Sequence, residues 1–131
     1  MVLTSATQLA NILVVDDEEN ARKGLSKILA KEGYVVEMAA NGKEAIESIR
    51  RLAFDLVITD MRMPLMDGFE VLREIKKMDE GIGVIMITAY GEVESYLEAM
   101  NLGAFEYINK PVRVNELKRV IAKVLEQRVK S

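Results

Sequence analysis

Five short apolar runs, each followed by a stretch of helical periodicity, constrain this chain more than any other feature. The runs cover residues 12–15, 34–38, 56–58, 84–87 and 105–108. Leu56, Val57 and Ile58 form an unbroken apolar core bounded by polar residues, the pattern of a strand buried on both faces of a parallel sheet. Between the runs, apolar residues recur at helical spacing. They are Ala21, Leu25, Ile28 and Leu29; Ala45, Ile46 and Ile49; Val71, Leu72, Ile75 and Met78; Val93, Leu97 and Met100; and Leu117, Val120, Ile121, Val124 and Leu125. Strand and helix thus alternate five times with short connections, which calls for right-handed crossovers, one parallel sheet and helices on both faces. The more mixed run at 34–38 reads as an edge strand.

Local signals agree with this reading. Gly33 and Gly103 stand where the first and fourth helices should stop. Asn41 is placed to cap the second helix, and Asp67 with Glu70 three residues later forms a capping-box sequence for the third. Pro64 cannot extend a strand ladder, so the third strand must end before it. Arg113 stands at the start of the fifth helix, where it is a poor cap beside the positive end of the dipole, and fraying is expected there. Residues 1–10 read as a leader and 11–130 as a single domain, without internal repeat or linker.

Composition narrows the chemistry. With 131 residues, half of them hydrophobic and 30% charged, the chain can bury a real core. A net charge of −3 gives no reason to expect nucleic acid or an anionic membrane as partner. No membrane span or signal sequence is evident, and a cytoplasmic location is expected. The chain has no Cys and no His, which leaves no thiol or imidazole nucleophile, base or ligand. Carboxylates, hydroxyls and amines remain, and any metal should be a hard, oxygen-seeking ion.

Four of the five strands finish in such groups: Asp16 and Asp17, Asp60, Thr88, and Lys110. Each has a duller reading by itself. Asp16 and Asp17 suit a helix start, Asp60 a turn, Thr88 a strand terminus and Lys110 a solvated side chain. Their joint arrival at successive strand ends of one parallel sheet is what points to a site. Two carboxylates about 4 Å apart repel by roughly 4 kcal/mol at an effective dielectric of ~20, so three acids with one lysine call for raised pKa values or a bound cation. Mg²⁺ suits an open, all-oxygen cluster of this kind. An aspartyl phosphate is an established carboxylate intermediate, and Lys110, Thr88 and the cation would stabilise its equatorial oxygens.

These residues resemble the receiver domain of two-component response regulators. The matching motifs are Ile12-Leu13-Val14-Val15-Asp16-Asp17-Glu18, Asp60-Met61-Arg62-Met63-Pro64, Met66-Asp67-Gly68, Thr88-Ala89 and Tyr107-Ile108-Asn109-Lys110-Pro111, and the likeness spans about residues 11 to 128. It implies a flavodoxin-like doubly wound (βα)5 fold with strand order 2-1-3-4-5. It also implies that Asp60 accepts a phosphoryl group from a phosphohistidine on a sensor histidine kinase or histidine phosphotransfer protein. The chain would be a phosphoacceptor, not an enzyme acting on other substrates. Asp17 and Asp60 would bind Mg²⁺ directly, Arg62 through its backbone carbonyl and Asp16 through a water. The backbone amides of Arg62 and Ala89 would cradle the phosphoryl group. Thr88 would turn toward it and Tyr107 would swing inward, reshaping the face of helix four, strand five and helix five. That face would serve a phosphorylation-dependent homodimer or a C-terminal output domain. The Lys110–Pro111 bond is expected to be cis.

Tyr96 falls at the position of the family's partner surface and is expected to be partly exposed. Arg62 and Tyr90 lie two residues after Asp60 and Thr88, and as bulky groups at the pocket mouth they would slow hydrolysis of the acyl phosphate. The pairing resembles the nitrogen-regulation group of receivers. Two rival chemistries fit less well. A dehalogenase-type phosphatase would carry an Asp where Arg62 stands, and a flavin-binding flavodoxin would carry a hydroxyl- and glycine-rich loop where Asp16-Asp17-Glu18-Glu19 would repel phosphate. A receiver-shaped module that is never phosphorylated is the remaining alternative.

Overall fold

A computed structural model describes residues 10–89, 91 and 93–130. The elements follow the alternation: β1 (Asn11–Val15), α1 (Glu19–Lys31), β2 (Val35–Ala39), α2 (Gly42–Arg51), β3 (Leu56–Asp60), α3 (Gly68–Met78), β4 (Gly83–Thr88), α4 (Val93–Asn101), β5 (Glu106–Asn109) and α5 (Val114–Lys130). The five strands form one sheet in the order β2-β1-β3-β4-β5, with every pairing parallel. β2 is an edge strand, as its mixed polarity predicts. Residues 1–9, most of the expected leader, lie outside the described residues. Ala10 is buried, and its carbonyl accepts from Val35 N at 3.0 Å.

Strand residues alternate between two cores. Leu13, Val15, Val57, Val84 and Met86 face α2, α3 and α4, where they meet Ile46, Leu72, Ile75 and Ala99. Ile12, Val14, Leu56, Ile58, Ile85 and Ile87 face α1 and α5, where they meet Leu29, Leu117, Ile121 and Val124. Both faces of the central strands are therefore dry, as a doubly covered parallel sheet requires. The predicted helix ends hold. Asn41 Oδ1 accepts from Glu44 N at 2.8 Å, Asp67 and Glu70 form a reciprocal capping box, and Gly33 and Gly103 adopt φ values of 99° and 102°. Only glycine takes that left-handed conformation at little cost.

Some expected core positions are not core. Ala21 and Ile28 of α1 are exposed, as is Met78 of α3. In α4, Val93 is 74% exposed and Leu97 54% exposed, while Ala99 is fully buried. A helix that rests on its sheet through a small side chain turns its large apolar residues outward, and periodicity counted over large residues then picks the wrong face. Tyr96 is 43% exposed, as expected, and its ring stands edge-on to Tyr107 at 6.0 Å between centroids. At the start of α5 the backbone carbonyl of Arg113 accepts from Leu117 N at 2.9 Å.

Candidate functional site

Asp16 follows the last residue of β1 and extends the ladder, its N–H donating to Ala39 O at 3.2 Å. Its Oδ1 accepts from Glu18 N at 2.9 Å, and Glu18 in turn caps α1 by accepting from Asn20 N and Ala21 N. Arg22 donates to the Asp16 carbonyl at 2.8 Å. Asp16 is thus held from both its backbone and one carboxylate oxygen. No sequence signal singled out Glu18 or Arg22 for these tasks, since a surface Arg or Glu in a first helical turn is commonplace.

Asp60 is the last residue of β3 and lies in register with Ile87 of β4. The next residue, Met61, donates its N–H to Ile87 O at 2.8 Å, and Gly68 N closes the β3–α3 loop on Met61 O at 2.8 Å. A Cβ on Gly68 would lie 2.7 Å from Asp60 O and 2.8 Å from Met61 Cα, both backbone atoms. Gly68 is therefore what lets α3 start directly against the acidic strand end. At the loop's tip Leu65, wholly exposed, adopts φ +70°.

The convergence expected of the acids is present. Asp16, Asp17 and Asp60 each offer a carboxylate oxygen within 4.8 Å of the other two. Lys110 Nζ lies 3.7 Å from Asp60 Oδ1 and 3.9 Å from Asp16 Oδ2, too far for hydrogen bonds but close enough to offset part of the charge. Its own N–H donates to Thr88 O at 2.7 Å, and the bond that follows, Lys110–Pro111, is cis. Burial pushes the Asp60 carboxyl above the ordinary carboxylate range, with Lys110 opposing and Asp16 and Asp17 adding to the rise. Burial likewise raises Asp16, against the pull of the Glu18 amide and Lys110. Three acids, two of them desolvated, and one ammonium form a donor set with excess negative charge. It suits a hard divalent cation such as Mg²⁺.

The remaining expected residues sort by position. Thr88, fully buried, ends β4 one residue beyond the partner of Asp60, at the same sheet edge. Ala89 is exposed just beyond it, and Arg62 is exposed two residues past Asp60. Tyr90 lies outside the described residues. Tyr107 is buried in the core beside α4, and its hydroxyl donates to Met61 Sδ at 3.4 Å. The step from Asp60 to Met61, Tyr107 and Tyr96 is a run of direct contacts that sequence reasoning did not find, because only tertiary packing brings residues 61 and 107 together.

Comparison with known proteins agrees with this geometry. The family model for the response regulator receiver domain matches residues 12–122. Sporulation initiation phosphotransferase F of Bacillus subtilis is 41% identical over 114 residues, which is 87% of this chain and 92% of that protein. Regulatory protein AtoC of Escherichia coli is 39% identical over 120 residues, covering 92% of this chain but 26% of the relative. The chain thus spans about a quarter of the length of several relatives that it matches, ZraR and GlrR among them. Among solved structures, a CheY-like receiver domain protein from Methanospirillum hungatei superposes with a TM-score of 0.90 at 36% identity, over 93% of this chain and 98% of that one. The response regulator TrrA from Thermotoga maritima, solved in complex with Mg²⁺ and BeF, gives 0.81 at 40% identity over 88% of this chain and 99% of that one. With a five-stranded parallel sheet in order 2-1-3-4-5, an acidic cluster at its carboxyl edge and a family match over most of its length, this chain belongs to the response regulator receiver domain family.

Proposed function

We propose that residues 11–130 form one receiver that acts as the Mg²⁺-dependent phosphoacceptor switch of a two-component relay. The observation that carries this reading is the cluster itself: three carboxylates within 4.8 Å of one another and an ammonium 3.7 Å from Asp60. A carboxylate oxygen of Asp60 attacks phosphorus, and the bond from phosphorus to the donor's imidazole nitrogen breaks. The donor is a phosphohistidine on a sensor histidine kinase or histidine phosphotransfer protein, or alternatively a small acyl phosphate. Asp17, Asp60 and the Arg62 carbonyl would hold Mg²⁺, and Asp16 would act through a water. When bound, the ion neutralises charge on the phosphoryl oxygens. Lys110 supplies a second positive charge, and the Thr88 hydroxyl and the amides of Arg62 and Ala89 donate to those oxygens. The chain catalyses only its own phosphorylation and dephosphorylation. Having no His, it is not itself the phosphohistidine donor.

Occupancy of Asp60 is read out at the α4–β5–α5 face. Thr88 and Tyr107 turn toward the phosphoryl group, and Tyr96 on α4 carries the change to a homodimer partner or to an output domain. No helix among the described residues is long and apolar enough to cross a membrane, and the expected setting is the cytoplasm. The test is sedimentation velocity with Mg²⁺ and beryllofluoride. Wild type is expected to self-associate, Asp60→Asn to stay in its basal state, and Tyr96→Ala to bind beryllofluoride without associating. A wild type that binds no beryllofluoride would favour the unphosphorylated module.

A further inference from the structure

We propose that Met61 is a positioning residue of the switch, whose thioether holds the Tyr107 hydroxyl in the core and so sets how often that ring swings outward. The inference rests on the reading of Tyr107 as a switch residue given above. Tyr107 lies on β5 in register with Met86 of β4, two strands away from the end of β3 that Met61 follows. Its ring is buried, and its hydroxyl donates to Met61 Sδ at 3.4 Å. Among the described residues this hydroxyl meets no other acceptor. A buried phenol hydroxyl left without one carries its full desolvation cost, so the bond to Met61 is what lets Tyr107 stay inside.

The acceptor is itself held in place. Met61 is buried, its N–H donates to Ile87 O at 2.8 Å, and its carbonyl accepts from Gly68 N at 2.8 Å. The thioether therefore projects from backbone fixed to β4 on one side and to the start of α3 on the other. Asp60 is its neighbour in sequence, so one strand end carries both the proposed phosphoacceptor and the acceptor for Tyr107. Partly exposed Tyr96 stands edge-on to the Tyr107 ring, so the surface of α4 meets that ring directly. A thioether is a weak acceptor. It satisfies the hydroxyl without locking it, and losing the bond shifts the balance between inward and outward rings by about two- to fivefold. Occupancy of Asp60, which draws Tyr107 the same way, adds to this bias.

The experiment is O-acetylation of the tyrosines by N-acetylimidazole at single-hit extents, read by peptide mapping. Met61→Leu nearly keeps the side-chain volume and removes the acceptor. Tyr107 should then label about two- to fivefold faster than in wild type, while Tyr34, which packs against the other core, should not change. Mg²⁺ and beryllofluoride should slow Tyr107 labelling in Met61→Leu back toward the wild-type rate. Denaturant unfolding separates the bond from packing, because packing lost with the methionine costs the same whether Tyr or Phe stands opposite it. Met61→Leu should lower the folding equilibrium constant about two- to fivefold more in the wild-type background than in Tyr107→Phe. Unchanged labelling of Tyr107, or equal losses in the two backgrounds, overturns the proposal. Faster labelling that bound beryllofluoride does not reverse overturns the role of Met61 in the switch. Wild type that binds no beryllofluoride at all overturns the phosphoacceptor reading instead, and the place of Met61 in a switch with it.

Discussion

Replacing Asp60 with Asn should make the metal-free protein more stable, although it removes the proposed phosphoacceptor. Asp16 and Asp17 each place an oxygen within 4.8 Å of one on Asp60, so each opposes its charge by at least about 3.5 kcal/mol at an effective dielectric of ~20. Lys110 at 3.7 Å returns about 4.5 kcal/mol. The balance disfavours ionised Asp60 by about 2.5 kcal/mol, and desolvation pushes in the same direction. Asp17 is exposed and the Lys110 side chain is 35% exposed, so solvent screening should reduce the measured effect to about 1–2 kcal/mol. For a domain of this size that is a rise in Tm of roughly 3–6 °C, readable by calorimetry at neutral pH in excess chelator.

The pH dependence follows from the same charges. Burial raises the folded carboxyl pKa of Asp60 and of Asp16 above the ordinary 3.8, so the folded state binds their protons more readily than the unfolded chain does. Their contribution to stability is complete below the unfolded value and is lost as pH rises through the raised folded values. The advantage of Asp60→Asn should therefore shrink as pH is lowered from neutral toward the carboxyl range. Mg²⁺ should raise the Tm of wild type with concentration, and that of Asp60→Asn less. An Asp60→Asn protein no more stable than wild type in chelator, with no dependence on pH, would refute this electrostatic reasoning.

Other consequences are equally direct. Gly68→Ala forces a Cβ to within 2.7 Å of the Asp60 carbonyl and should cost about 1–3 kcal/mol in denaturant unfolding, with slower phosphoryl uptake because the strand end must shift. Asp67→Ala breaks the capping box of α3 and should cost about 1 kcal/mol in the same assay. Arg62→Ala should shorten the lifetime of the acyl phosphate severalfold once donor is removed; an unchanged decay, followed by intact mass, would mean that Arg62 does not restrict the attacking water.

The backbone was legible because its signals are local. Apolar runs of strand length, the Asn41 cap, the Asp67 and Glu70 pair and the two helix-stop glycines are each specified within a few residues, and all appear in the structure. The acidic cluster was legible because a parallel sheet brings its carboxyl ends to one edge whatever the intervening helices contain. What escaped is tertiary. That α4 lies on Ala99 depends on how closely it approaches the sheet, so Val93 and Leu97 looked like core although they face outward. The hydroxyl of Tyr107 on Met61 Sδ joins positions 46 apart in sequence, which no periodicity encodes.

The central claim is that Asp60 is phosphorylated, forming an acyl phosphate, with the help of the charges around it. Incubation with acetyl phosphate and Mg²⁺, followed by intact mass and peptide mapping, tests it most directly. Wild type should gain the mass of one phosphoryl group, on the peptide that contains Asp60. The gain should be absent from Asp60→Asn and from wild type in chelator. No gain in wild type, or a gain that survives in Asp60→Asn, would contradict the account.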